Sequence, residues 1–305
     1  MAIIVDYASL TAAIGSWTHN PALVAGGSPI SDYFIQKALE QIAQDIPALN
    51  FGNYIRLMEA AYTPSIITGG TLPVPTDWLG PKELSISDFG GNTFDLTFKS
   101  PGWIKDIYPQ RVPNGMPSYI ARDVMAPCTF TGALATTEIL TVSAIANGIV
   151  QLGMIIGDGA THLPAITPGN AVIIQSQLTG VSGSTGTYSA SSINVLNPTY
   201  TVSVETMTGG GNVFIFGPFP DGGYQVAGTY YQAIPALNSG NTTNWVVLNA
   251  PMMLLEACMT QAGKFLEDDQ MIGRWNGNYT ASLKALVDQD KAERWSQATL
   301  QVETA

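Results

Sequence analysis

Between Arg122 and Lys264 the chain carries no lysine and no arginine, so the 141 residues from 123 to 263 have no basic side chain other than histidine. Charge of either sign is scarce throughout, at 11% of residues, against about 25% in an average soluble protein. The net charge is −11. A phosphate-binding face needs clustered Lys and Arg, so a nucleic-acid binder is excluded. A surface that DNA passes without sticking is not. Cysteine is nearly absent too: Cys128 and Cys258 are too few and too far apart for a disulfide scaffold and read as two buried thiols. No run reaches the roughly 18 apolar residues of a membrane span. Met1 to Gly15 has no basic leader and carries Asp6, unlike a signal peptide.

Catalytic and cofactor signatures are also missing. There is no GxxxxGK[ST] phosphate loop and no GxSxG elbow. The two histidines, His19 and His162, read as loop residues. Gly157-Asp158-Gly159-Ala160-Thr161-His162 begins like a dinucleotide fingerprint but lacks the third glycine and reads as a turn. No catalytic residue, no metal ligand and no cofactor is expected, and the chain is not expected to be an enzyme. Glu267-Asp268-Asp269 reads as an acidic helix junction, because successive carboxylates on a helix point in different directions. Trp245, Trp275 and Trp295 read as core or interface anchors.

What is present is two kinds of sequence. Hydrophobic residues make up 46% of the chain, enough for a core in one large or two medium domains. Residues 128–208 hold 9 Gly, 8 Ser and 14 Thr, a composition unlike the flanks. The expected organisation is therefore a discontinuous outer part, 1–127 with 209–305, and an inserted domain, 128–208. Weak charge fits either a surface that meets other protein or a β-rich protein with a polar uncharged face.

In the outer part, Tyr7 to Trp17 has apolar residues at helical spacing. Phe34, Ile35, Ala38, Leu39, Ile42 and Ile46 form a stripe behind Ser31, a plausible N-cap, and Pro47 is expected to end that helix. Segments 84–86 and 94–98 alternate around Gly90-Gly91-Asn92 and predict a hairpin. Val213–Phe216 and Tyr224–Tyr231 predict a second one. Ser100–Gly115 reads as a loop. Asn249-Ala250-Pro251 predicts a helix start with Asn249 as cap. A helix of about 25 residues should bury Ile272, Trp275, Tyr279, Leu283, Leu286 and Val287, and the residues after Ser296 read as an arm. In the insert, short strands around 138–143, 153–156, 171–175, 187–189 and 200–204 predict a sandwich or barrel.

The outer part resembles the head-to-tail adaptor (head-completion, neck) proteins of tailed phages. The resemblance rests on ordered segments: Arg56-Leu57-Met58-Glu59-Ala60 with Leu72-Pro73-Val74-Pro75-Thr76-Asp77-Trp78-Leu79; Gly115-Met116-Pro117-Ser118-Tyr119-Ile120; Phe219-Pro220-Asp221-Gly222-Gly223-Tyr224 through Tyr230-Tyr231 to Ile234-Pro235-Ala236-Leu237; and Thr243-Asn244-Trp245-Val246 with Phe265–Asp269, Trp275 and Tyr279. Phe130-Thr131-Gly132, residues 153–159 and Gly186-Thr187-Tyr188 resemble a β module of phage structural proteins. The implied fold is α+β: a helical bundle with a β-hairpin portion, plus an inserted all-β domain. The implied function is a virion structural protein, made in the host cytoplasm, forming a homo-oligomeric ring at the portal vertex. Twelve subunits would join portal to tail or nozzle proteins around a DNA channel, with no membrane partner. On this reading Glu267, Asp268 and Asp269 are channel-lining candidates, and Trp295, Ser296, Gln297, Ala298, Thr299 and Leu300 are portal-docking candidates. The rival readings are another neck or tail-tube component, or a carbohydrate-binding virion protein using Tyr188 and Tyr200.

Overall fold

The computed structural model describes residues 3–20, 29–67, 70–88, 90–110, 112–158, 162–164, 166, 170–193 and 200–296. The chain divides into two compact units, Met1–Glu59 with Gln232–Ala305, and Ala60–Tyr231.

The first unit is helical. Helix α1 (Tyr7–Trp17) starts at Asp6, whose carboxylate accepts the Ser9 N–H at 2.8 Å while the Ser9 hydroxyl accepts the Asp6 N–H at 3.0 Å. These reciprocal bonds satisfy two donors that every helix start leaves open, and the Ser9 bonds hold the Asp6 carboxyl below its ordinary pKa. Helix α2 (Pro29–Leu49) buries the whole expected stripe from Phe34 to Ile46. It runs two residues past Pro47 rather than ending there. Proline forfeits only its own N–H, and the bond from Asn50 N–H to the Ile46 carbonyl, 3.0 Å, still closes the last turn.

Helix α4 (Trp245–Asn249) is capped by Asn244, which accepts the Val247 N–H at 3.0 Å. Helix α5 (Pro251–Leu266) follows at once, with Pro251 in its first turn. Asn249 is not its cap. It closes α4 and donates from its side chain to the Trp245 carbonyl at 2.8 Å. Every residue of α5 from Met253 to Thr260 is buried, because α1, α2, α4 and α6 (Asp269–Ser296) all pack on it. Its polar groups are partnered: Glu256 accepts the Ser282 hydroxyl at 2.7 Å, and the Thr260 hydroxyl donates to the Glu256 carbonyl at 2.9 Å. Helix α6 is 28 residues long and buries Trp275, Tyr279, Leu283 and Val287 at steps of four, with Ile272 and Leu286 half-buried beside them. Tyr279 donates to Asp45 at 2.8 Å, and burial and that carboxylate together push its phenol well above its ordinary pKa.

The second unit holds twelve strands among the described residues: β1 (Glu59–Ile67), β2 (Thr71–Pro73), β3 (Trp78–Ser87), β4 (Thr93–Asp95), β5 (Thr97–Phe98), β6 (Tyr119–Leu134), β7 (Ile139–Asn147), β8 (Ile155–Asp158), β9 (Val172–Gly180), β10 (Gly186–Ser192), β11 (Val202–Gly217) and β12 (Tyr224–Gln232). One sheet has the order β1-β12-β3-β4. The other runs β2-β11-β8-β9-β10-β7-β6-β5, and β11 also pairs with β6. That extra pairing closes β6, β7, β10, β9, β8 and β11 into a six-stranded antiparallel barrel. Closure leaves no open edge on those strands. The five strands expected in the insert are present. The sixth, the distal half of β6, continues a strand that starts outside it. Thus β6 and β11 run unbroken through positions 127 and 209.

The hairpin of β3 and β4 forms as expected, with Ser85 opposite Asp95. The second expected hairpin does not. β11 and β12 belong to different sheets, and the turn after Gly217 carries the chain between them. Alternation predicts a strand but not its partner. Ser100–Gly115 is not all loop: α3 (Pro101–Ile107) forms there, with Ser100 accepting the Trp103 N–H and Pro101 in the first turn.

The two sheets meet through aromatic rings. Trp78 stacks on Tyr230 at 5.2 Å and meets Phe214 edge-on at 5.0 Å, and Tyr62 meets Phe214 at 6.0 Å. Tyr230 donates to Asp77 at 2.9 Å. The resembling segments around residues 77–78 and 230 are thus one packed contact.

Gly228 on β12 has φ +145°, and a Cβ there would lie 2.1 Å from the Glu83 carbonyl oxygen on β3. Gly91 has φ +80° but open space around it. Gly228→Ala should therefore destabilise the protein by about 3 kcal/mol or more, and Gly91→Ala by about 1 kcal/mol. Urea denaturation of both variants measures this difference; equal costs would contradict the close β3–β12 approach.

Candidate functional site

The acidic junction has a local structural explanation. Glu267 caps α5 in the left-handed conformation, φ 56°. Asp268 starts α6, accepting the Met271 N–H on its carboxylate at 3.0 Å and the Ile272 N–H on its carbonyl at 2.9 Å. Carboxylates at a helix start complement its dipole. All three acids are exposed, so none is used up in burial. Of the expected docking residues, Trp295 and Ser296 lie in the last turn of α6, and Gln297, Ala298, Thr299 and Leu300 lie outside the described residues.

Beside the N-terminus of α5 lies an apolar groove of about 700 Å³, lined by Ile3, Trp17, Met252 and Leu255 among others. Ile3 is 82% exposed and Met252 46%. Trp17 meets Trp275 edge-on at 5.3 Å, which makes Trp275 a core residue as expected. Large apolar side chains left in solvent together mark a surface built to be covered.

The tyrosines proposed for sugar stacking do not form a platform. Tyr188 is 1% exposed and its hydroxyl donates to the Ser184 carbonyl. Tyr200 is half-buried and donates to Asn170 at 3.3 Å. A ring buried in the barrel core cannot stack on a ligand from outside.

The sequence reading missed one constellation. Asp158 ends β8, and its Oδ2 accepts the backbone N–H groups of His162 at 2.9 Å and Leu163 at 3.1 Å. His162 Nδ1 itself lies 3.2 Å from Asp158 Oδ2. Glu205 on β11 reaches the same place, with Oε1 3.4 Å from His162 Nδ1. The register explains why: Asp158 pairs with Met207, and Glu205 is two residues from Met207 on the same face. Burial works against charge on Asp158, but the Leu163 and His162 N–H groups together with a side-chain hydrogen bond to Glu205 outweigh it, and its carboxyl sits below the ordinary carboxylate value. His162 is thus not an isolated loop histidine. The step of four from Asp158 to His162 was readable, but Glu205 is 43 residues further on and only the β8–β11 pairing delivers it.

Among the described residues no helix is long and apolar enough to cross a membrane. No curated protein matches the chain. Residues 158–303 match the model of the family described as SU10 adaptor protein. That stretch takes in the end of β8, the strands that close the barrel, β12 and the helices α4 to α6, and it supports the assignment of this chain to a phage head-to-tail adaptor family, whose role is structural.

Proposed function

We propose that the chain is a ring subunit of the virion neck, joining the portal to tail or nozzle proteins and forming part of the channel through which DNA leaves. The family match supports the adaptor role. The observation that carries the ring is the apolar groove beside α1 and α5, flanked by side chains as exposed as Ile3. A closed head-to-tail ring covers one such surface per subunit with the next subunit. Twelve copies is the number that the resemblance implies. The barrel, residues 128–208 on the continuous β6–β11 ribbon, is the inserted module in this proposal.

The charge pattern fits the same role. At −11 the subunit repels phosphate, and acids along a channel let DNA slide instead of binding. Glu267 and Asp269 are the proposed lining residues, since Asp268 is occupied in capping α6. The end of α6 and the residues after it, from Trp295 to Leu300, are the proposed portal-docking segment.

Three outcomes follow. The double variant Ile3→Asp/Met252→Asp should fold as the wild type does but fail to form rings, as read by light scattering and negative-stain microscopy; unchanged rings would remove the groove from the interface. Glu267→Lys with Asp269→Lys, which spares the Asp268 cap, should slow DNA release from purified particles at least several-fold, and ordinary release would dismiss these acids as lining. Deleting Ser296–Ala305 should leave a folded protein that no longer joins portal-bearing capsids in an assembly assay. Normal joining would refute the docking role.

A further inference from the structure

We propose that Asp158, His162 and Glu205 form a binding site for a divalent cation of the zinc class at the end of β8. Their ligand atoms, two carboxylate oxygens and one imidazole nitrogen, all lie within 4.8 Å of one another. His162 Nδ1 stands 3.2 Å from Asp158 Oδ2 and 3.4 Å from Glu205 Oε1. Tetrahedral zinc holds nitrogen and oxygen ligands at about 2.0–2.2 Å, which sets neighbouring ligands about 3.3 Å apart. The two separations from His162 Nδ1 match neighbouring ligands of one coordination shell, and with the two carboxylate oxygens within 4.8 Å of each other a fourth position is left for water.

A second observation points to a missing partner. Glu205 Oε1 is buried and accepts no hydrogen bond. The Asp158 side chain is only 3% exposed. The Glu205 side chain is 24% exposed, but two carboxylates that meet where water is scarce are costly unless a cation or a shared proton joins them. The chain offers little that could. From 123 to 263 it has no lysine and no arginine, so the sequence around these acids supplies no permanent cation. His162 can supply at most one charge against two, whereas a divalent ion balances both carboxylates and fills the space between the three groups.

The ligand set selects the ion. A ring nitrogen disfavours calcium and magnesium, which take oxygen. One imidazole with two carboxylates suits zinc or a neighbouring first-row divalent ion. The site is prearranged by backbone: the turn after β8 is fixed by the two N–H bonds to Asp158, and Glu205 is fixed by the β11–β8 register. A bound ion ties the turn after β8 to β11 and acts as a clamp on that end of the barrel. Beyond the adaptor role, this makes barrel stability depend on metal.

The experiment uses tag-free full-length protein, stripped with chelator and titrated with zinc chloride by calorimetry, with melting followed in parallel. One zinc per chain should bind with a dissociation constant in the micromolar range or tighter, and the melting temperature should rise with zinc. His162→Ala and Glu205→Gln should each weaken binding at least tenfold and abolish the zinc-dependent rise, while His19→Ala changes neither. Metal-free melting of Glu205→Gln shows whether that variant folds. No binding by the wild type at 100 micromolar zinc overturns the proposal. So does binding retained in the His162→Ala/Glu205→Gln double variant, or a melting temperature that responds to pH but not to zinc, which would make His162 a protonated bridge between the two acids.

Discussion

The pairing of β6 with β11 is the contact on which the second unit depends. The two strands are each 16 residues long and match from Tyr119 opposite Gly217 to Leu134 opposite Val202. At one end the pair carries β2 and β5 and presents Phe214 to Trp78 and Tyr62. At the other it closes the barrel. The register shifts twice, between Val202 and Glu205 and, midway, between Gly209 and Gly211, where Gly210 takes φ +119° and a Cβ would lie 2.9 Å from the Ala126 carbonyl oxygen. Such a bulge bends a strand and lets one ribbon serve two differently curved sheets. Without the pair, β7 and β8 would each end in a row of open backbone groups, a template for aggregation.

Continuity of the ribbon also bears on how the barrel is held. A module tethered by flexible linkers would move independently of its host. Here β6 and β11 stay paired on both sides of the compositional borders at 127 and 209, with a bulge at Gly210 between, so position passes from the base of the ribbon into the barrel. The change in composition marks a change of environment, not a break in backbone structure. The distal strands need turn formers and β-branched residues for a small closed barrel, hence the Gly, Ser and Thr.

The helical unit is organised around α5, buried on all sides, and around polar links that fix its neighbours in register. Gln261 donates to Gln41 at 2.6 Å and Tyr279 to Asp45 at 2.8 Å, tying α5 and α6 to α2. Hydrophobic packing alone tolerates sliding, whereas a buried donor without its acceptor costs more than the bond gains. With its interior complete, apolar side chains such as Ile3 and Met252 still remain exposed, at 82% and 46%. Their retention is understood through a partner surface.

The sequence by itself determined the long helices, because their buried stripes recur every three or four residues: Phe34 to Ile46 on α2 and Trp275 to Val287 on α6 are local periodicities that need no partner to be seen, whereas the short α3 and α4 carry no such stripe. It also determined the strands of the insert and the absence of basic side chains around them. Tertiary structure alone decided which strands pair. The apolar run Val213–Phe216 followed by the strand Tyr224–Tyr231 fits a hairpin as well as it fits two sheets, and the packing of Trp78 between Phe214 and Tyr230 selects the second. The same holds for Glu205 beside Asp158 and His162: residues brought together by a ladder between distant strands leave no spacing in the chain, since strand pairing, unlike the helical turn, is not a function of sequence separation.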